Sequence, residues 1–227
     1  QIIRISAPQL TAGNVVVFKH ASNVPQAAIA MEELLIKAGA PKGVLTNVFE
    51  SHEASELIIS DPRVRGVALT GSEAAGAAVS SLASKYLKKS TLELGGADAF
   101  IVLDDAEVEK AAEWAVFGRH WNGGQVCVSS KRLIVTEGVY DKFLDLYKAG
   151  VAKLVAGDPM DPATTLAPLS SQSAADEVQV KLDKAAAEGV TIEEIGAPVP
   201  QQGAFIRPTL LTDIPLDSVT AETEFFG

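Results

Sequence analysis

The stretch 121–132, WNGGQVCVSSKR, holds the only cysteine of the 227-residue chain, Cys127. A thiolate is a strong nucleophile, whereas a lone cysteine also serves as a small apolar filler; its surroundings decide between the two. Gly123 and Gly124 leave room for close backbone approach, and Ser129 and Ser130 are not what a sealed core presents. A turn entering a short helix would aim N–H groups at the sulfur, favouring its thiolate and an oxyanion beside it. Glu93, in TLELGG, ends an apolar run ahead of Gly95 and Gly96. Partial desolvation would lift its carboxyl toward the range of a general base; an outward position on a half-exposed strand is the alternative. In LTGSEAAGAAV, Gly71 and Gly76 flank a strand-to-helix junction whose first-turn N–H groups, with the Ser72 hydroxyl, suit a pyrophosphate. The spacing is not G-x-G-x-x-G, and Gly76, Ala77 and Ala78 equally suit a helix packed close on a sheet. Lys19 closes an apolar run, either at the sheet edge where open α/β folds take ligands or as a solvated strand-end cation.

Positioning such groups takes an alternation of strands and helices. NVVVF (14–18), GVLTNVF (43–49) and VRGVALTG (64–71) are short β-branched runs. Between them, VPQAAIAMEELLIKAGAPKG places Ala27, Ala30, Met31, Leu34, Leu35 and Ala38 at helical spacing, and SHEASELIIS predicts a short helix capped by Ser51. SEAAGAAVSSLASKYL predicts a third helix. The rhythm repeats after STLELGGADAFIVLDD: VEKAAEWAVFGRHW puts Val108, Ala111, Ala112, Ala115 and Val116 on one face, KRLIVTEGV is a strand, and two further helices follow, the second ended by Gly189. GAPVPQQGAFIRPTLLTDIP predicts an irregular excursion and then a short strand. The expected fold class is α/β, with doubly wound parallel sheets and right-handed crossovers, hinged near Gly95 to Ala99.

Composition narrows the partners. The hydrophobic share of 47% with 6% aromatics fits strands covered by helices, and the net charge of −10 is scattered, leaving no basic stripe for nucleic acid. No apolar run is long enough to span a membrane, no metal site is expected, and a single cysteine favours a reducing, cytoplasmic compartment. Gln1 leads the chain without a start methionine and EFFG closes it, so an internal fragment of a longer protein is expected.

Taken in order, the strand-end Lys19 of AGNVVVFKHAS, TGSEAAG, LELGG and GGQVCVSSKR resemble the aldehyde dehydrogenase superfamily along essentially the whole chain, as does the interval from Glu93 to Cys127. FKHASNVPQAA and GAPKGVLTNVF are most similar to bacterial NAD(P)-dependent succinate-semialdehyde dehydrogenases. The resemblance implies a cofactor-binding domain over 1–96 and a catalytic domain over 97–227. It implies that Cys127 attacks an aldehyde to give a thiohemiacetal and then a thioester, and that Glu93 activates the hydrolytic water. For NAD or NADP it implies contacts from Lys19 to the adenosine ribose, Ser72 to the pyrophosphate and Glu224 to the nicotinamide ribose, with Ser22, Gly71, Gly76 and Gly95 completing the site.

The chain also departs from the family. Where many NAD-preferring relatives carry a Glu, it has Ser22, which removes a carboxylate that would repel a 2′-phosphate and points toward NADP, unless Ser22 is only a helix cap. Where many succinate-semialdehyde enzymes place an Arg for the distal carboxylate, it has Trp121, which lines a tunnel but offers no cation; Arg119 and His120 lie close by. The second oxyanion donor is expected upstream of Gln1, and the oligomerisation strand of the implied homodimer or homotetramer beyond Gly227. The fragment alone is therefore expected to be inactive. The alternatives are a broad aliphatic aldehyde dehydrogenase and a non-catalytic truncated relative that serves binding or assembly. A cofactor-free cysteine hydrolase would need His20, His52 or His120 beside Cys127 and fits less well.

Overall fold

The computed structural model describes residues 1–51 and 53–227, and the chain forms two compact units, Gln1–Gly95 and Gly96–Gly227. The first opens with a helix that the strand-first reading missed, α1 (Ile2–Thr11), which tolerates Pro8 inside it and ties the Ser6 hydroxyl to the Ile2 carbonyl. Then follow β1 (Val16–Phe18), α2 (Pro25–Lys37), β2 (Leu45–Asn47), α3 (Ser55–Ser60), β3 (Gly66–Thr70), α4 (Glu73–Lys85) and β4 (Lys89–Glu93). β1 pairs with β2 in parallel, Val16 opposite Leu45, and β3 with β4, Thr70 opposite Glu93. Helical crossovers are what parallel strands require.

Two local expectations change. The buried position of α2 is Ala28, with Met31, Glu32 and Leu35 following at helical spacing, while Ala27, Ala30, Leu34 and Ala38 are exposed. The helix is turned by about one residue because the Glu32 carboxylate accepts the Asn47 N–H of β2 at 2.9 Å. Ser51 does not cap α3; the N-cap is Ala54, with no side-chain hydrogen bond.

The second unit runs β5 (Ala99–Val102), α5 (Val108–His120), β6 (Arg132–Val135), α6 (Glu137–Val151), α7 (Gln172–Ala187), β7 (Thr191–Glu194) and β8 (Thr209–Thr212). Its core joins Val102 to Val108, Ala112 and Ala115 of α5 and to Phe143, Tyr147 and Val151 of α6. Each Val or Phe side chain among these contributes about 1.5–3 kcal/mol by leaving water. Small residues let the helices meet: a Cβ on Gly150 of α6 would lie 2.8 Å from Val116 of α5. A second cluster packs Leu169 against Ala175, Val178 and Leu182 of α7. β5 and β6 are parallel, but β7 and β8 pair antiparallel, Ile192 opposite Leu211, so this part departs from the purely parallel expectation. β7, TIEE, was missed because only Ile192 of it faces apolar surroundings. Among the described residues no helix is long and apolar enough to cross a membrane.

Candidate active site

Cys127 stands on a turn, not at a helix N-terminus. α5 ends in a short 3-10 helix, Trp121–Gly124, in which Asn122 and Gly123 take left-handed backbone angles (φ 54° and 62°). Gln125 then bends at φ −84°, ψ 62°, with the Val126 N–H donating to the Gly124 carbonyl at 3.0 Å, an inverse γ-turn. The Ser129 N–H donates to the Val126 carbonyl at 3.0 Å, closing a β-turn with Cys127 at its second position. The chain goes on into β6, so helical N–H groups do not converge on the sulfur. The thiol is free and partly exposed.

The glycines and serines around Cys127 serve the protein itself. Gly123 and Gly124 are buried, and a Cβ on Gly124 would fall 2.7 Å from the Arg119 guanidinium and 2.7 Å from the backbone of Gly227. The room expected for a substrate is taken by the chain's own side chain and backbone. Ser129, 2% exposed, donates to the Gly118 carbonyl at 3.1 Å and accepts from Arg119 at 3.4 Å.

Two cations organise this loop in roles that the sequence reading did not give them. Arg119 donates to the carbonyls of Gly124 (3.2 Å), Phe225 (3.1 Å) and Gly227 (2.6 Å), joining the glycine bend to the EFFG segment. Burial lowers its pKa, opposed by the neighbouring Tyr147 and Glu224. Lys131, whose side chain is 2% exposed, donates to the carbonyls of Val126 (3.0 Å) and Cys127 (2.7 Å) and lies 3.1 Å from the Glu224 carboxylate. Glu224 Oε1 is buried and makes no hydrogen bond of good geometry, so its link to Lys131 is an ion pair. A signal for Lys131 does exist: its position continues the inward alternation of Leu133 and Val135 in β6, whereas Arg132 alternates outward.

Trp121 is 59% exposed and stacks on Phe117, centroids 6.3 Å apart, while Phe117 meets Trp114 edge-on at 5.7 Å. His120 turns inward, its Nδ1 3.0 Å from the Val116 carbonyl and its ring 6.2 Å from Tyr147. Burial, against the carbonyl hydrogen bond and with help from Arg119, pushes its pKa down to about 4. Desolvation pushes the Tyr147 phenol up to about 12. His120 is thus a neutral packing residue tied to a carbonyl; His20 belongs to the first unit, and His52 lies outside the described residues.

The remaining predicted site residues are in the first unit. Glu93 ends β4; its carbonyl accepts the Gly71 N–H at 3.0 Å, and its carboxylate is 45% exposed, 3.8 Å from Arg4. The half-exposed strand position holds, not the desolvated one. Ser72 is the N-cap of α4, accepting the Ala75 N–H at 3.3 Å. Gly76 is a packing glycine, since a Cβ there would meet Leu94 of the ELGG segment at 2.7 Å, whereas a Cβ on Gly71 would make only ordinary contacts. Gly95 follows β4 at the end of the unit. Lys19 and Ser22 are exposed, just past the carboxyl end of β1. Ser22 does not cap α2, whose N-cap is Val24 with Pro25 next.

Each unit carries parallel strands crossed by helices, as an oxidoreductase of the α/β class does, and the chain belongs to the aldehyde dehydrogenase family, whose model it matches over residues 1–227. It is 44% identical to the succinate-semialdehyde dehydrogenase [NADP(+)] of Deinococcus radiodurans over 227 residues, all of this chain and 48% of that protein. The crystal structure of succinic semialdehyde dehydrogenase from Streptococcus pyogenes in complex with NADP+ matches at a TM-score of 0.95 and 44% identity, covering 100% of this chain and 50% of that one. Aldehyde dehydrogenase C of Pseudomonas syringae, a C291A mutant complexed with NAD+ and octanal, matches at 0.90 and 29% identity, over 98% of this chain and 47% of that one. The chain thus spans about half the length of these relatives.

Proposed function

We propose that the protein carrying this chain oxidises an aldehyde, succinate semialdehyde foremost, to the carboxylic acid with NAD or NADP. Residues 1–96 serve as cofactor-binding domain and 97–227 as catalytic domain. The observation that carries this reading is the free Cys127 on a turn fixed at its own carbonyl by a buried cation, within a family match over the whole chain.

The residues fit a dinucleotide. The exposed first turn of α4 with its Ser72 hydroxyl suits a pyrophosphate, Lys19 and Ser22 lie exposed at a strand's carboxyl edge, and the buried, unsatisfied Glu224 Oε1 is an acceptor for a ribose hydroxyl. In the first unit Gly71 stands at the β3–α4 turn, Gly76 in the first turns of α4 and Gly95 just after β4. Ser22, which carries no charge and caps nothing, leaves a 2′-phosphate unopposed and supports NADP. The nicotinamide cofactor, when bound, supplies the hydride acceptor.

The chain's own groups do the rest. The Cys127 thiolate adds to the aldehyde carbon, forming a C–S bond and an oxyanion, a thiohemiacetal. Loss of hydride leaves a thioester, and Glu93 takes a proton from the water that replaces sulfur, releasing the acid and the thiol. Trp121 presents an apolar wall to the substrate. A cytoplasmic homodimer or homotetramer is the proposed form, supported by the unpaired cysteine and the family resemblance.

A second reading, a broad aliphatic aldehyde dehydrogenase, is favoured by one observation: Arg119 is committed to three carbonyls and His120 is neutral, so neither offers a cation to a distal carboxylate. Both readings are tested by NADPH and NADH production with succinate semialdehyde beside a simple aliphatic aldehyde, in the full-length protein and its Cys127→Ser variant. The variant is expected to lose turnover and keep cofactor affinity within about threefold, about 0.7 kcal/mol. Retained turnover ends the proposal. A semialdehyde preference of about tenfold, ~1.4 kcal/mol, selects the first reading, and equal rates select the second.

A further inference from the structure

Lys131 is used by no step above, yet its ammonium is almost wholly buried, and a buried charge persists only where it is paired. The ammonium donates to the Val126 carbonyl at 3.0 Å and the Cys127 carbonyl at 2.7 Å, and its charge pairs with the Glu224 carboxylate at 3.1 Å. We infer that Lys131 is a positioning residue that fixes the nucleophile turn and couples it to the cofactor through Glu224. The inference deepens the proposed function and rests on its assignment of Cys127 and Glu224.

Two consequences follow from the geometry. Holding the carbonyls of Val126 and Cys127 restricts the backbone from which the sulfur is presented. The Glu224 carboxylate is also shared. A ribose hydroxyl donating to it draws on the acceptor that Lys131 uses, shifting the ammonium's hold toward the two carbonyls, so cofactor binding changes the reactivity of Cys127. The other charged groups facing the loop are Arg119, bonded to the Gly124 carbonyl and Ser129, and Lys181, bonded to the Glu224 carbonyl at 2.9 Å. Both remain in the variants below.

The test is the alkylation rate of Cys127 by iodoacetamide in the full-length protein at one neutral pH, with and without NADP+. Lys131→Met is expected to slow alkylation at neutral pH about tenfold, because the turn loses its brace, and to abolish the effect of NADP+. Lys131→Arg keeps the charge and restores most of both; Lys131→Gln keeps donors alone and restores neither. If the methionine variant does not fold, the Arg and Gln pair decides, and equal behaviour of those two overturns the inference. A wild type that oxidises aldehydes, with a Lys131→Met variant of unchanged alkylation rate and NADP+ response, overturns the inference alone. A wild type that oxidises no aldehyde and whose alkylation ignores NADP+ overturns the proposed function as well.

Discussion

Gly124→Ala is the sharpest probe of the loop that carries Cys127. Gly124 has φ +76°, where a side chain costs about 1–2 kcal/mol by crowding the backbone. The added methyl would also sit 2.7 Å from the Arg119 guanidinium and 2.7 Å from the Gly227 backbone, and backbone cannot swing aside as a flexible side-chain end can. Arg119 must then give up its 3.2 Å bond to the Gly124 carbonyl, a charge-assisted bond of about 1.5–3 kcal/mol. Together these amount to ~4 kcal/mol, which at about 2–4 °C per kcal/mol for a chain of this size lowers Tm by ~8–16 °C. Gly189→Ala is the control: φ is +85° but nothing lies within 4 Å of the new Cβ, so only the backbone term remains, ~1–2 kcal/mol. Thermal unfolding by circular dichroism of both variants reads the difference. If Gly124→Ala melts no lower than Gly189→Ala, the bracing of the loop by Arg119 is wrong.

Ser22→Glu is expected to reduce kcat/KM with NADP+ relative to NAD+ by at least tenfold, about 1.4 kcal/mol, because a carboxylate there repels the 2′-phosphate; unchanged cofactor preference in steady-state kinetics refutes the role given to Ser22. His120 has a folded pKa of about 4 against 6.5 unfolded, so as pH falls from about 6.5 to about 4 the unfolded chain takes up a proton that the folded chain refuses. The stability carried by the neutral ring is thus present above that window and lost through it, by up to ~3 kcal/mol. The fall in Tm over that range is expected to be shallower in His120→Phe, and an imidazole proton resonance of His120 that titrates near 6.5 would contradict the buried, neutral ring.

The sequence by itself determined the family and most of the strand and helix order, because both rest on local facts. The motifs around Gly71, Glu93 and Cys127 are contiguous runs, and apolar spacing marks α5, where Val108, Ala112 and Ala115 are buried as their period requires. What it misplaced depended on partners far along the chain. The glycines before Cys127 look like space for a substrate until Arg119 and Gly227 fill that space. Glu93 could be desolvated or half exposed on pattern alone, and β4 leaves it half exposed beside Arg4; α2 is turned by about one residue, with Glu32 bonded to an N–H on β2. The roles of Arg119 and Lys131 were decided only by tertiary structure. A charged side chain in a sequence reads as a solvated one, and what turns it into a brace is the convergence of carbonyls and a carboxylate from distant segments, Phe225 for Arg119 and Glu224 for Lys131, which no local pattern encodes.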